Sequence, residues 1–337
     1  MKHCQKINAT NLSLLQTLRR DAMINSSKIW SVIPMKLLVA KRNGMSDAEL
    51  EKLAGLGFEL VLDAVDYKPY TGDTSDIEAV ICYQFFNHND IKAFPKLKLI
   101  HLTSAGYDHM PLEYLREKGI ALYNARGVYS VAIAEFVLGG VLQLYKEAAY
   151  FRSEVARRGW RQLQHLRELS EKNVTILGAG SIAAEIAKRF SAMGCRVTAL
   201  CRNPDKAESG FDAVCKVEEL DEILPGTDIM ILAAPLNEGT FHIMNASRFG
   251  LIKKGSVFVN IARGGLVDTP ALVEALECGN LSGAVIDVFE TEPLEADNPL
   301  WEMENLIITP HNSFAGEFNG RRTFELMYRD LSQWLRK

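Results

Sequence analysis

The sequence predicts an α/β protein built from two doubly wound parallel-sheet domains. Two observations lead to this fold class. The 337 residues exceed what one hydrophobic core usually fills, and short apolar runs alternate with helical stretches in two successive series. Runs of this kind become buried strands of parallel sheets, because helices cover both faces of such sheets. We therefore expect two sheets, each with its own core.

The composition narrows the class of protein. With 47% hydrophobic and 24% charged residues the chain is typical of a soluble globular protein, and a formal net charge of -4 gives no reason to expect a nucleic-acid partner. The six cysteines form no C-x-x-C pair, so we expect neither a metal site nor a disulfide framework. The N-terminus lacks the apolar segment of a signal peptide. The most apolar window, residues 128–145, contains Glu135 and two glycines. We interpret it as a buried helix and expect a cytoplasmic protein without membrane contact.

The first series of apolar runs begins at Met35, after an N-terminal extension, residues 1–34, that shows no clear pattern of its own. Ser46 and Glu49 form a capping box, which predicts the start of a helix. A long helix is expected to end the series, from about residue 130 to residue 158. The predicted strands are the runs "MKLLVA", "FELVLD", "AVICY", "LKLIHLT" and "GIALYN".

A second series follows, with six predicted strands separated by helices or loops. Six strands in this arrangement are typical of a dinucleotide-binding domain. The chain then closes with an amphipathic helix in "GRRTFELMYRDLSQWLRK". The six runs are "NVTILG", "RVTALC", "DIMILAAP", "SVFVNIA", "GAVIDVF" and "LIITP".

The first strand of the second series leads into the glycine-rich stretch "GAGSIA". Gly178 permits a tight turn, and Gly180 lets the main chain approach a pyrophosphate, which the following helix N-terminus attracts. Ala183 takes the third position of the pattern, where a small residue lets the helix pack closely on the strand. A G-x-G-x-x-A pattern alone is weak evidence, but here it lies between a predicted strand and a predicted helix. It therefore predicts a dinucleotide site.

The end of the next strand indicates which dinucleotide is bound. An acidic residue usually stands there and bonds the ribose 2′-hydroxyl of NAD. Here Cys201 takes that position, and it is followed by Arg202, whose guanidinium suits a 2′-phosphate. We therefore favour NADP over NAD as the cofactor. The alternative is that Arg202 is only a solvated arginine at a strand end.

Three candidate catalytic residues each follow a predicted strand of this domain: Arg263, Glu292 and His311. Ligands of open α/β sheets bind beyond the carboxyl ends of the strands, so the three side chains are expected to meet on one rim. A guanidinium holds a carboxylate with two parallel hydrogen bonds. An imidazole, with an ordinary pKa of about 6.5, exchanges protons near neutral pH. A neighbouring carboxylate orients the imidazole and favours its protonated form.

Each of these residues also has a simpler interpretation. Arg263 alone is an ion-paired loop arginine, Glu292 a solvated loop acid, and His311 the cap of a turn that follows a proline. Their shared position in a nicotinamide-binding fold favours the catalytic interpretation. The two glycines after Arg263 are interpreted as keeping the crevice around it accessible.

The stretches "GAGSIA", "NIARGGLVD", "GAVIDVFETEPL" and "NLIITPHNS", in this order and at these intervals, resemble the D-isomer-specific 2-hydroxyacid dehydrogenase family from about Met35 to the C-terminus. The arginine and histidine motifs are specific, whereas the glycine stretch is not. The resemblance implies a Rossmann NAD(P)-binding domain at residues 137–312. It also implies a smaller, discontinuous, flavodoxin-like substrate domain made of residues 35–136 and 313–337. Members are usually homodimers, and residues 128–158 are expected to supply a helical contact.

The same resemblance assigns roles to individual residues. Arg263 matches the family's substrate-binding arginine, His311 its acid/base and Glu292 the acid that tunes the histidine. Asp287 matches a position near the nicotinamide carboxamide. The residues expected at the cofactor are Gly178, Gly180, Ser181, Ile182, Arg202, Ala234, Pro235, Thr240, Ile261, Ala262 and Asp287.

The substrate loop is expected upstream, in the stretch "TSAGYDHM". The resemblance implies that main-chain N–H groups of Ala105 and Gly106 bind the substrate carboxylate there. The stretch "CYQFFN" places Tyr83 and Phe85 where a loop of the substrate pocket is expected. Packing of these aromatic side chains in the core is an equal alternative.

Together these features predict reversible hydride transfer between NAD(P)H and C2 of a small 2-oxo or 2-hydroxy acid, by an enzyme acting on CH–OH donors. Glyoxylate or hydroxypyruvate is favoured, since aromatic side chains suit a small pocket. A phosphorylated acid is less favoured because no arginine or lysine precedes Lys92 in the loop. The alternative from another class is a dinucleotide-sensing interaction protein, similar to the corepressors related to this family. A dinucleotide-binding protein that has lost catalysis is a third hypothesis.

Overall fold

The computed structural model describes residues 34–40 and 44–336. Within them the chain forms two separate sheets, and all strand pairs in both sheets are parallel. The predicted fold class is therefore confirmed. The predicted N-terminal extension, residues 1–34, lies outside the described residues except for Pro34.

The first sheet contains the five strands predicted for it: β1 Met35–Val39, β2 Phe58–Val61, β3 Ile77–Cys82, β4 Leu99–Leu102 and β5 Ala121–Tyr123. Their order across the sheet is β2-β1-β3-β4-β5. This is the strand order of flavodoxin-like domains, as predicted. The central strands are almost wholly buried, which explains why they appear in the sequence as continuous apolar runs.

Two helices follow strands of this sheet, α1 Asp47–Gly55 and α2 Leu112–Lys118. The capping box predicted at Ser46 is present. The Glu49 N–H donates to Ser46 Oγ at 3.4 Å, and the Ser46 N–H donates to Glu49 Oε2 at 2.7 Å. Such a cap contributes about 1 kcal/mol to helix stability, so it fixes where α1 begins.

The long helix predicted over residues 130–158 is instead two helices, α3 Ser130–Tyr145 and α4 Ala148–Ala156. Glu147 has a left-handed backbone with a φ of 53°, which ends the first helix and redirects the chain. No glycine or proline marks this break in the sequence. The side chains of Val137 and Val141 lie in a core beneath the second sheet, which agrees with a buried helix. In the part of the chain that the structure describes, no helix is both long and apolar enough to span a membrane.

The second sheet has seven strands: β6 Asn173–Leu177, β7 Arg196–Cys201, β8 Ala213–Lys216, β9 Ile229–Leu232, β10 Ser256–Asn260, β11 Leu281–Ile286 and β12 Leu306–Ile308. Their order is β12-β11-β10-β9-β6-β7-β8, which extends the order of dinucleotide-binding domains by one strand. The six predicted strands are present, and β8 was missed. It is a four-residue edge strand that pairs only with β7 and has no fully buried residue, so it leaves no apolar run in the sequence.

The remaining helices are α5 Ser181–Ala192, α6 Leu220–Ile223, α7 Ala246–Leu251, α8 Thr269–Glu277 and α9 Asn319–Trp334. The last of them, α9, returns to the first sheet. Its side chains Phe324, Met327 and Leu331 lie in the same core as Leu37 and Val39 of β1. Burial of each such side chain contributes about 1.5–3 kcal/mol, so the end of the chain is firmly attached to the first sheet. The exact domain boundaries stay a prediction.

Candidate active site

The second sheet reverses its strand order between β6 and β9, and ligands of such sheets bind beyond the carboxyl ends of the strands at this point. The last residues of these strands, Leu177 and Leu232, are partners in the parallel ladder. Gly178 follows with a φ of 117°, a conformation that side chains rarely adopt. A Cβ at this position would also lie 2.5 Å from the carbonyl oxygen of Ala233. The turn therefore requires glycine, in agreement with the sequence pattern.

Gly180 lies immediately before α5 and serves as its N-cap. A Cβ built there would have no heavy atom within 4 Å, so the main chain is open to a ligand. The Ser181 hydroxyl accepts a hydrogen bond from the Ser130 hydroxyl at 3.2 Å, which places the start of α3 beside the start of α5. Ala183 is buried in the core under the sheet. The N-terminus of α5 thus has the open shape that a pyrophosphate needs.

The other predicted cofactor residues follow β9 and β10. Ala234 and Pro235 come after β9, opposite the glycine turn, whereas Ile261 and Ala262 come after β10 and are nearly buried. Thr240 is bonded within its own turn, and its predicted contact with the cofactor stays a prediction. Its hydroxyl donates to the Pro235 carbonyl at 2.8 Å and accepts from a main-chain N–H of the same turn at 2.9 Å. The hydroxyl therefore holds this turn closed.

Cys201 is the last residue of β7, at the position where an acid is usual, and Arg202 follows directly. The Arg202 side chain is exposed and forms no ion pair with any residue that the structure describes. This placement is compatible both with binding of a 2′-phosphate and with simple solvation. The cofactor preference therefore stays a prediction.

His311 and Glu292 form a hydrogen-bonded pair, although they follow different strands. Nδ1 of His311 lies 2.9 Å from Oε2 of Glu292, and both side chains are partly exposed. The other carboxylate oxygen of Glu292 accepts from the Phe289 N–H at 3.0 Å, which fixes the acid in turn. Nε2 of His311 has no hydrogen-bond partner among the described residues. The imidazole is therefore oriented through one nitrogen and has the other available for proton exchange.

The main chain of His311 is held in a left-handed conformation, with a φ of 51°. Such a conformation costs about 1–3 kcal/mol for a residue with a side chain and occurs most often at functional sites. It is stabilised by Asp287, whose carbonyl accepts from the His311 N–H at 2.8 Å. The Asp287 carboxylate accepts from the Thr309 hydroxyl at 2.5 Å and from the N–H groups of Asn312 at 2.7 Å and Ser313 at 3.0 Å.

Asp287 is buried and bonded to the loop that carries His311. Its side chain has no exposed surface, and its carboxylate accepts hydrogen bonds from Thr309 and Asn312 of that loop. Asp287 therefore helps to determine the conformation of the loop that carries the histidine. Its predicted place near the nicotinamide carboxamide stays a prediction.

Arg263 reaches across the crevice to the loop that follows β4. Its Nη2 and Nε lie 3.0 Å and 3.3 Å from the same oxygen, Oδ2 of Asp108, and Nη1 donates to the carbonyl of Ala262 at 2.7 Å. A Cβ added to Gly106 would overlap with Nη2 of Arg263, so the guanidinium touches the predicted substrate loop. The arginine is therefore ion-paired, as the simpler interpretation expected, and it lies against the substrate loop.

The two glycines after Arg263 do not keep the crevice open, so this interpretation was wrong. Gly264 is buried, and a Cβ there would overlap with the main-chain carbonyl of Phe289 and the nitrogen of Glu290. A Cβ on Gly265 would meet only flexible side-chain atoms, the nearest being Cδ2 of Leu236 at 3.1 Å. Position 264 requires glycine because the main chains of two loops are in contact here. One loop carries Arg263, and the other leads to Glu292.

The substrate loop has its carbonyl groups bonded and its amides available. The carbonyl of Ala105 accepts from Nδ2 of Asn124 at 2.6 Å, and the carbonyl of Gly106 accepts from the Ser104 hydroxyl at 2.7 Å. Within the described part of the chain, the N–H groups of Ala105 and Gly106 have no acceptor. Because the loop also touches Arg263, these amides and the guanidinium lie on one surface, which we call the anion-binding wall; its binding of the substrate carboxylate stays a prediction.

Of the two aromatic residues predicted in the substrate pocket, Phe85 belongs to the core. It has no exposed surface and packs edge-on against Phe86 and Phe94. Tyr83 is 38% exposed and follows the carboxyl end of β3. Its N–H donates to Oδ1 of Asp66 at 2.8 Å, which fixes the start of the loop. Phe85 is therefore a core residue, and the place of Tyr83 in the substrate pocket stays a prediction.

The sequence did not single out two aromatic residues next to the histidine. The ring of Phe314 lies 6.5 Å from the ring of His311 and 5.9 Å from the ring of Tyr129, centroid to centroid. The hydroxyl of Tyr129 donates to the carbonyl of Thr103, just after β4, and burial raises the pKa of this hydroxyl. These contacts connect the histidine to the loop after β4. The sequence could have indicated Phe314, because this aromatic residue follows the histidine by only three positions.

A Rossmann sheet with an open glycine turn, together with a histidine that a carboxylate orients, is typical of a nicotinamide-dependent oxidoreductase that acts on CH–OH groups. Residues 138–313 match the family described as "D-isomer specific 2-hydroxyacid dehydrogenase, NAD binding domain". The chain belongs to this family.

Three similar proteins illustrate the range within the family. The chain is 35% identical over 219 residues to a (S)-sulfolactate dehydrogenase of Chromohalobacter salexigens, a match that covers 65% of this chain and 71% of the relative. The solved structure of a glyoxylate reductase from Paecilomyes thermophila has a TM-score of 0.78 at 26% identity and covers 91% of this chain and 97% of its own. A D-isomer specific 2-hydroxyacid dehydrogenase from Xanthobacter autotrophicus Py2, in complex with NADPH and MES, has a TM-score of 0.72 at 26% identity, with coverages of 90% and 95%.

Proposed function

We propose that the protein reduces a small 2-oxo acid to the D-2-hydroxy acid with NADPH or NADH and also catalyses the reverse oxidation. The observation that carries this proposal is the His311–Glu292 pair. The pair lies at the carboxyl ends of two strands, and Nε2 of the histidine is not hydrogen-bonded by the described protein. Glyoxylate and hydroxypyruvate are the substrates we favour.

In the proposed reaction the substrate carboxylate is bound by Arg263 and the amide groups of Ala105 and Gly106. This places the 2-oxo group next to Nε2 of His311. A bound dihydronicotinamide supplies the hydride that adds to C2. The electron pair of the carbonyl π bond moves to its oxygen, which takes a proton from Nε2. Glu292 stabilises the positive charge of the imidazolium before the transfer and orients the ring during it.

We further propose a division of labour between two domains. Residues 35–136 together with 313–337 carry the substrate loop, and residues 137–312 hold the cofactor. The packing of α9 on the first sheet supports this division. The anion-binding wall combines Gly106 from one domain with Arg263 from the other, so the substrate binds between the two domains, where water is excluded.

Two features support a small substrate without a phosphate. The aromatic ring of Phe314 lies 6.5 Å from that of His311, and Tyr83 is an exposed aromatic residue after β3; we take both to narrow the substrate pocket. Arg263 is the cation that touches the substrate loop, and it is already engaged with one acidic side chain. A glyoxylate reductase among the similar structures is in keeping with this choice.

The test is a spectrophotometric assay of NADPH and NADH oxidation with a panel of 2-oxo acids that includes glyoxylate, hydroxypyruvate, pyruvate, 3-sulfopyruvate and 3-phosphohydroxypyruvate. We expect the highest kcat/KM with glyoxylate or hydroxypyruvate. Preference for the sulfonated or phosphorylated acid would refute the proposed substrate. Demonstrated cofactor binding without oxidation by any acid would instead favour the dinucleotide-sensing alternative.

The cofactor preference is tested by Arg202→Ala. We propose NADP because Arg202 follows the strand end that lacks the usual acid, and its exposed guanidinium has no acidic partner among the described residues. We expect the KM for NADPH to rise about 10-fold or more, since a charge-assisted pair contributes about 1.5–3 kcal/mol. The KM for NADH should change little. Equal changes for both cofactors would mean that Arg202 is only solvated.

We also propose a homodimer, with the contact on α4 and the residues that follow it. The side chains of Val155 and Trp160 are 77% and 96% exposed, although both are apolar. We take this exposure as support for a contact with a second copy of the chain. Sedimentation should therefore give twice the mass of one chain, and Trp160→Glu should shift the protein towards the monomer. Met193→Glu, at an exposed apolar residue elsewhere, is the control. A monomeric wild type would refute the dimer.

A further inference from the structure

The ion pair between Arg263 and Asp108 connects the two halves of the anion-binding wall. Arg263 follows β10 of the second sheet, whereas Asp108 lies two residues after Gly106 in the loop that follows β4 of the first sheet. The two side chains are 37% and 54% exposed, and a pair so open to water contributes little to folding stability. We therefore consider a role of this ion pair in substrate binding rather than in folding.

The hydrogen bonds of the guanidinium indicate what Asp108 does. An arginine has five N–H groups. The Nε–H group and one N–H group of Nη2 donate to Oδ2 of Asp108, and one N–H group of Nη1 donates to the carbonyl of Ala262. One N–H on each terminal nitrogen remains. Two N–H groups are the number that a carboxylate ligand takes from an arginine when both of its oxygens are bound.

The position of Nη2 strengthens this reading. Nη2 lies so close to Gly106 that a Cβ there would overlap with it, so the guanidinium lies against the loop that carries the amides of Ala105 and Gly106. Without Asp108 the long arginine side chain could adopt other rotamers in the open crevice, and that freedom would be lost on each binding event.

We propose that Asp108 is a positioning residue for the substrate carboxylate: it clamps one edge of Arg263 so that the terminal N–H groups and the loop amides form a single preformed site. This inference rests on the proposed function. Asp108 determines KM for the 2-oxo acid, because it acts on the binding of the carboxylate. It leaves kcat nearly unchanged, because it does not touch the hydride or proton that is transferred.

Steady-state kinetics of Asp108→Ala and Asp108→Glu with the best 2-oxo acid tests the proposal. For the alanine variant we expect KM to rise about 10-fold and kcat to stay within about 3-fold, as for loss of one charge-assisted contact. Asp108→Glu should recover most of the loss because it restores a carboxylate. The matched control is Glu113→Gln, an exposed acid on α2 with no ion pair among the described residues, which should behave as wild type.

A second readout needs no turnover. Oxamate, an unreactive carboxylate similar to a 2-oxo acid, should bind the protein–cofactor complex with a Kd that rises by the same factor in Asp108→Ala. In an Arg263→Gln background the Asp108→Ala change should have no further effect on this Kd. The Kd of the cofactor should not change in any of these variants.

The outcomes separate the proposals. A lower KM in Asp108→Ala would overturn the positioning role, because it would show that Asp108 competes with the substrate for Arg263. An unchanged KM, or a change confined to kcat, would overturn it as well. If wild type binds oxamate but reduces no acid, the proposed function fails, and the effect of Asp108 on the oxamate Kd still decides the inference. A wild type that neither binds oxamate nor reduces any acid would overturn both.

Discussion

Replacement of His311 by asparagine should lower kcat for reduction of the 2-oxo acid by about 10²–10⁴-fold, the usual contribution of a positioned acid or base. Asparagine is the appropriate replacement because it tolerates the left-handed backbone that His311 adopts, with a φ of 51°. The loop held by Asp287 should therefore keep its conformation. The substitution then removes only the imidazole that we propose as the acid/base.

The measurement is kcat under saturating cofactor and acid, accompanied by the Kd of the cofactor and the melting temperature, both of which should stay near wild type. Glu292→Gln keeps a hydrogen-bonding side chain but removes the charge, so its kcat should fall less. His165→Gln, at an exposed histidine outside every loop assigned to the site, is the control. A kcat within 3-fold of wild type in His311→Asn would remove the histidine from the proton transfer.

Gly264→Ala should disable the site through the main chain. The added Cβ overlaps with the carbonyl group of Phe289, which cannot rotate away as a side chain would. The segment that leads to Glu292 therefore has to move, and the hydrogen bond from the Phe289 N–H to Glu292 is lost with it. We expect the free energy of unfolding to fall by about 1–3 kcal/mol, as for overpacked interiors, and kcat/KM to fall at least 10-fold.

The neighbouring glycine supplies the matched control for this prediction. A Cβ on Gly265 meets the flexible end of Leu236, so Gly265→Ala should be tolerated with little change in stability. Denaturant unfolding and the same steady-state assay give both quantities. If Gly264→Ala and Gly265→Ala are equally stable and equally active, the close approach of the two loops does not determine the geometry of the site.

Much of the fold could be predicted from the sequence because buried parallel strands are continuous apolar runs. The runs at β1, β4 and β10 show this directly, as they are largely or wholly buried. The edge strand β8 escaped because its residues are half exposed and carry no such run. The break between α3 and α4 escaped because it depends on the backbone of Glu147, a residue type that does not usually interrupt a helix.

The candidate site could be predicted in part. The sequence predicted that side chains following parallel strands meet on one rim, and Glu292 and His311 do so, since adjacent parallel strands end at the same edge of a sheet. The pairing of Arg263 with Asp108 joins residues of different sheets, so no local pattern reveals it. Nor could the pattern of two glycines show that Gly264 serves a close contact between loops, because the contacting main chain belongs to a distant segment.

Transfer of deuterium from the 4-position of reduced nicotinamide, followed by NMR of the product, tests most directly that this cleft delivers a hydride to C2 of a 2-oxo acid. With hydroxypyruvate and NADPH labelled on the transferred face, we predict D-glycerate that carries one deuterium at C2, formed by wild type and barely formed by His311→Asn. Oxidation of the cofactor without deuterium at C2, or the L-isomer as product, would contradict the proposed reaction.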